Sequence, residues 1–269
     1  MSDKQLPRSC HFAMLFADKE GGPLNTSETP RAWATWGMAW GLGILLVLAL
    51  GLVLPVIVIA ILKFAHLATV SQVTHGWPAV AYSAESELAF GAAALVAWVV
   101  ATRRYWFGGP WRWRLWAKGL AGGMALGAAV TLIGVGMQEW LGRSLPSDAK
   151  DLVGPVGHHA GPLIAMLVVI ALLAPVMEEW LFRGTLQTSL ARAVGAPVAI
   201  GIVSVIFALV HELDSPQPLA HPWLWAPILP LAVVLGIVRV RTDSMSGNIG
   251  IHMGFNLWAA LLMSLQFWR

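Results

Sequence analysis

The sequence predicts an all-α protein, a polytopic transmembrane helical bundle of about seven spans (seven or eight). Three observations predict it. Hydrophobic residues fill 57% of the 269 positions and charged residues only 12%, against roughly 25% charged in soluble domains. The mean hydropathy of +0.69 is spread over repeated apolar runs, each near the ~20 residues that a membrane helix needs. The basic residues fall mainly between those runs, which is how membrane topology is encoded.

Residues 1–35 are polar and carry Gly21, Gly22, Pro23 and Pro30; they read as a flexible cytosolic tail. Their mixed charge, with no small-residue cleavage site after the first apolar run, argues against a secretory signal and for an uncleaved anchor. Cys10 is the only cysteine, which excludes a disulfide framework and a cysteine zinc knuckle. The first span is expected from about Trp36 to Phe64. The second runs from about Leu88 to Thr102, or from nearer Ala79 if it is of full length, and the third from about Leu115 to Met137. A polar loop with Arg143, Asp148, Lys150, Asp151, His158 and His159 follows. Further spans start near Pro162, Pro197, Trp223 and Ser246. Residues 36–154 thus form the N-terminal transmembrane spans, and residues 155–269 a C-terminal transmembrane core.

With the N-terminus in the cytosol, thirteen Lys and Arg fall in inside segments and three in outside segments. That asymmetry supports seven spans, N-terminus in and C-terminus out. It predicts a multi-pass protein of a cell membrane, with a composition that suggests a bacterial inner membrane. The net charge of +3 is accounted for by topology, so no nucleic-acid partner is expected. Interleaved Trp and Arg around Trp111-Arg112-Trp113-Arg114 can bind single-stranded nucleic acid, but beside a span they belong at the lipid headgroups. Gly119, Gly123 and Gly127 form a small-xxx-small stripe, which lets helix backbones approach closely in lipid.

The C-terminal half holds residues that a bilayer should exclude. An ionisable side chain at the bilayer centre costs at least about 2.5–3.5 kcal/mol. Glu178, Glu179 and Arg183 sit within the fourth apolar run. Glu179 and Arg183 are four apart and can pair on one helix face, while Glu178 lies about 100° away and is left without an opposite charge. Pro175 is expected to free the carbonyl of Ala171 and open the helix there. Phe207 and His211 share a face of the fifth run, and His252 and Asn256 a face of the seventh. Counting residues from the helix ends puts Glu178 and His211 at similar depth, about 20 Å in. His252 fits less well, being close to the start of its helix. Each piece alone reads as packing, an ion pair or interhelical glue. Together they place two carboxylates, two imidazoles, an amide and a guanidinium on three apolar helices, where polar groups must find one another.

These three motifs, Glu178-Glu179-xxx-Arg183, Phe207-xxx-His211 and His252-xxx-Asn256, resemble those of the CPBP (Abi) family over roughly residues 155–265. That family includes the type II CAAX prenyl endopeptidases and bacterial bacteriocin-processing or self-immunity proteins. The resemblance implies an intramembrane endopeptidase that activates water with a glutamate. Carried over by position, Glu178 is the general base and His211 its partner in orienting the water. His252 and Asn256 steady the oxyanion, Glu179 and Arg183 shape the site, and Phe207 is a substrate-binding or structural residue.

The family has been described both as metal-dependent and as metal-free. No cofactor is expected, with zinc held by Glu178, His211 and His252 as the alternative; the chain has no HExxH motif. It also lacks GxSxG, and its spans lack interior Asp, which argues against serine and aspartyl chemistry. A peptide or protein substrate and the lipid bilayer are the expected partners, and oligomeric state is open. A catalytically idle immunity or partner-binding scaffold is the first rival, and a proton-coupled transporter the second.

Overall fold

The computed structural model describes residues 75–101, 111–142, 159–213 and 225–267, with Gly43, Ile57 and Ile61. The tail, nearly all of the first expected span, the loop 143–158, His66, His221 and Asp214 lie outside the described residues. Every element among the described residues is helical, as the composition predicts.

Helix α1 spans Trp77–Ala101 and α2 spans Trp113–Leu141. The helix at the second expected span therefore starts before Ala79, not at Leu88. The fourth apolar run forms one continuous rod of five segments: α3 (Ala160–Val168), π1 (Val169–Leu173), α4 (Ala174–Glu179), π2 (Trp180–Gln187) and α5 (Thr188–Val194). The joining residues Val169, Ala174, Trp180 and Thr188 all keep right-handed helical backbone angles. The rod ends at Gly195, whose φ of 84° suits a residue without a Cβ. Helix α6 (Ala196–Leu213), α7 (Trp225–Thr242) and α8 (Met245–Phe267) complete the bundle.

Among the described residues, three helical stretches are long and apolar enough to cross a membrane: Trp113–Leu141, Ala160–Ala191 and Met245–Leu265. Ala196–His211 is apolar but shorter. The surface is inside-out relative to a soluble protein. Ile164, Val168 and Leu172 on the rod and Val198, Ile202 and Val205 on α6 are exposed, whereas Glu178, Glu179, Arg183, Gln187, Arg239, Asn248 and His252 are buried. Apolar outside and polar inside is the arrangement that lipid selects.

The glycine stripe of α2 seats it on α8. Gly119, Gly123 and Gly127 are its buried residues, and they face Gly247, Ile251 and Trp258 of α8. A Cβ on Gly119 would lie 2.6 Å from the Gly247 carbonyl oxygen, and one on Gly127 2.9 Å from Trp258 Cδ1. From the other side, Gly250 and Gly254 meet the carbonyl oxygens of Trp116 and Leu120. At Gly119, Gly123, Gly250 and Gly254 backbone thus rests on backbone, which only glycine permits, while Gly127 makes room for the Trp258 side chain. Just before α2, the Arg112 N–H donates to Ser246 Oγ at 2.8 Å, which fixes α2 to the start of α8.

The backbone of α7 accepts side-chain bonds from both neighbours. Arg183 Nη2 donates to the Ala232 carbonyl (3.2 Å) and Gln187 Nε2 to the Gly236 carbonyl (3.0 Å). These donors are four apart on π2 and the acceptors four apart on α7, so the two helices lock in register. Asn248 Nδ2 of α8 donates to the Leu235 carbonyl between them.

Candidate active site

Two backbone irregularities place the glutamates. In π1 the Ala174 N–H donates to the Val169 carbonyl, an i→i−5 bond, and Pro175 follows at the start of α4. A π turn holds one extra residue, so all that follows is rotated by about 100° relative to an unbroken α-helix. In π2 the hydroxyls of Thr185 and Thr188 donate to the carbonyls five residues earlier, Trp180 and Arg183, at 3.0 and 2.8 Å. Glu178 and Glu179 sit between the two wide turns and are 5% and 0% exposed.

Glu179 pairs with Arg183 as the four-residue spacing predicts: Arg183 Nη1 donates to Glu179 Oε1 at 2.9 Å, both side chains fully buried. Two neighbours that the spacing did not disclose complete the guanidinium's surroundings. Nη2 reaches Ala232, and Arg183 Cζ stands 4.2 Å from the centroid of the Phe207 ring, a cation–π contact. Phe207 is fully buried. Its ring centroid is 4.3 Å from that of His211, 5.8 Å from that of His252 and 5.0 Å from that of Phe182. The phenyl ring is thus the wall shared by both imidazoles and the arginine.

The histidines are oriented through their Nδ1 atoms. His211 Nδ1 lies 2.9 Å from the Phe207 carbonyl oxygen; a carbonyl only accepts, so Nδ1 carries the hydrogen. His252 Nδ1 lies 3.0 Å from Glu179 Oε1; the carboxylate already accepts from Arg183, so the imidazole again donates. Both Nε2 atoms then face the other carboxylate, with His211 Nε2 3.6 Å and His252 Nε2 3.8 Å from Glu178 Oε2. These separations exceed a direct hydrogen bond and suit a small group held between the three atoms. Glu178 and His252 are buried, while the His211 side chain is 31% exposed. Of these three side chains His211 is the most exposed.

His252 meets the glutamates although it lies only seven residues beyond Met245, the start of α8. The whole stretch Ser244–Gly250 is buried, so α8 begins inside the protein and the depth count from its first residue does not apply. Asn256 lies one turn further on. Its Nδ2 donates to the Ile170 carbonyl of π1 at 2.9 Å, a partner with no signal in the motif spacing. No group of three or more His, Cys, Asp or Glu among the described residues is arranged to hold a metal ion. His75 and His159 are exposed, and His159 caps the start of α3, some twenty residues before the glutamates.

No curated protein and no solved structure shows significant similarity to the chain. Residues 160–258 match the family model described as type II CAAX prenyl endopeptidase Rce1-like. The matched segment opens at the first residue of α3 and closes two residues after Asn256, so it contains all three motifs. That family is one of proteases, and its match agrees with the resemblance those motifs carry. Residues 160–258 of this membrane protein are therefore similar to the Rce1-like type II CAAX prenyl endopeptidase family.

Proposed function

We propose that the chain is an intramembrane endopeptidase that hydrolyses a peptide bond with water activated by Glu178. One observation carries the reading: two imidazoles, each fixed through Nδ1, turn their Nε2 atoms toward one oxygen of Glu178 at 3.6 and 3.8 Å. Peptide hydrolysis needs a base for the water and donors for the tetrahedral oxyanion. Glu178 Oε2 takes the water proton, and His211, at the exposed side, orients the water through Nε2. His252, its Nδ1–H held by Glu179, enters the reaction as an imidazolium protonated from solvent and donates its Nε2–H to the developing oxyanion, and Glu178 passes the water proton to the leaving amine. Glu179 and Arg183 hold His252 in that orientation, and Phe207 backs both rings.

The substrate is a peptide or protein segment. The protein is a multi-pass component of a bacterial inner membrane with its N-terminus in the cytosol, on the distribution of Lys and Arg. The reaction proceeds without a metal; zinc held by Glu178, His211 and His252 is the alternative. The test is cleavage of a quenched fluorescent peptide library by purified protein in detergent, with and without chelator. Turnover unaffected by chelator supports the reading. Turnover abolished by chelator and restored by zinc replaces it with the metal mechanism. A protein that cleaves nothing in the library, nor any membrane-anchored peptide offered in liposomes, favours the idle scaffold.

A further inference from the structure

The bond from Asn256 to Ile170 assigns Asn256 a role apart from oxyanion binding. In an unbroken α-helix the missing N–H of Pro175 would orphan the carbonyl of Ala171, four residues back. The rod is wider here, since Ala174 N–H reaches back five residues to Val169. In that register the next carbonyl, Ile170, faces residue 175, which has no N–H. A backbone carbonyl without a donor is costly in lipid, where no water can replace it. Asn256 Nδ2 supplies the donor at 2.9 Å.

We infer that Asn256 is a positioning residue: it caps the Ile170 carbonyl orphaned by the π turn and Pro175, and so holds the helical phase that turns Glu178 toward His211 and His252. The inference rests on the reading of Glu178 as the base. Rewinding π1 into α-helix would turn the following residues by about 100°. Glu178 would then move toward the angular position that Glu179 now holds beside His252 Nδ1. The same bond ties α8 to the rod on the Asn256 side of His252, so the two halves of the site share one fastening.

The test is a double-variant cycle with Asn256→Ala and Pro175→Ala, in the full chain in detergent. Pro175→Ala supplies an N–H at residue 175, so the carbonyls before it no longer need Asn256. Capping predicts that Asn256→Ala lowers the thermal midpoint by about 3 °C with proline present, and by under about 1 °C in the Pro175→Ala background. Equal lowering in both backgrounds overturns the inference. If Asn256→Ala alone yields no folded protein, recovery of a monodisperse protein by the double variant supports it, and failure to recover overturns it.

Turnover gives the second readout. A direct oxyanion donor costs about 10²–10³ in kcat whatever residue 175 is. Positioning predicts that Asn256→Ala lowers kcat with KM within about twofold when proline is present, and by less than about threefold further when added to Pro175→Ala. A loss of 10² or more in both backgrounds restores the oxyanion role and overturns the inference. Loss of turnover in Pro175→Ala alone, with an unchanged midpoint, supports the dependence of Glu178 on the π turn, and the midpoint cycle then decides Asn256. If no variant and no wild-type protein cleaves peptide, the peptidase reading fails while the midpoint cycle still reads the cap.

Discussion

Replacing Arg183 by lysine keeps the charge and removes the geometry that holds the buried centre together. Arg183 makes three interactions with no solvent exposure: Nη1 to Glu179 Oε1, Nη2 to the Ala232 carbonyl, and its guanidinium face on Phe207. A lysine is a point charge on a flexible stem and can serve Glu179, but not the carbonyl and the ring face as well. Losing a hydrogen bond from a charged donor costs about 1.5–3 kcal/mol, and a desolvated cation–π contact adds about 1–2 kcal/mol. We therefore expect Arg183→Lys to destabilise by about 3 kcal/mol, which at about 2–3 °C per kcal/mol for a chain of this size lowers the thermal midpoint by about 6–9 °C. Arg183→Met goes further, because Glu179 is left buried with His252 alone; breaking such a pair costs about 3–5 kcal/mol. The double variant Arg183→Met with Glu179→Gln should recover part of that loss, since the stranded charge is gone. The assay is thermal unfolding in detergent, followed by intrinsic tryptophan fluorescence. An Arg183→Lys midpoint within about 1 °C of wild type would refute the argument that fork geometry, and not charge, holds the site.

Three other expectations follow from the same geometry. Phe207→Leu removes the wall against which His211, His252 and Arg183 rest; we expect kcat to fall about tenfold with a midpoint loss of several degrees, read by peptide cleavage and thermal unfolding. Gly123→Ala drives a methyl into the Ile251 backbone next to His252 and should destabilise by about 1–3 kcal/mol and reduce turnover. Its neighbour Gly122 meets nothing within 4 Å, so Gly122→Ala should leave both properties unchanged or raise the midpoint slightly, by helix propensity.

The sequence discloses much of this site, because lipid makes misplaced polarity conspicuous. Glu178, Glu179, His211, His252 and Arg183 stand out against apolar neighbours, and the four-residue spacing of Glu179 and Arg183 suffices to predict their ion pair. The glycine stripe of α2 likewise announces a close helix contact, though not that its partner is α8. What escapes the sequence depends on backbone phase and on the third dimension. The π turns leave no periodic signature, so the orphaned carbonyl is expected at Ala171 and occurs at Ile170. The depth of His252 is misjudged because a residue count assumes that a helix begins at the membrane surface, whereas Ser244–Gly250 are buried. The acceptors on α7, Ala232, Leu235 and Gly236, are backbone groups that any sequence carries. The second span looks short from its apolar residues because Glu85 and Glu87 interrupt them, yet α1 runs unbroken from Trp77 to Ala101.

The central claim is that the Glu178 carboxylate activates the attacking water. The measurement that tests it most directly is the turnover of Glu178→Gln on a cleaved peptide, beside its thermal midpoint. Glutamine keeps the shape of the side chain and removes the base. The account predicts a loss of at least about 10³ in kcat with a midpoint within about 2 °C of wild type. A variant that folds normally and keeps more than a tenth of wild-type turnover would contradict it.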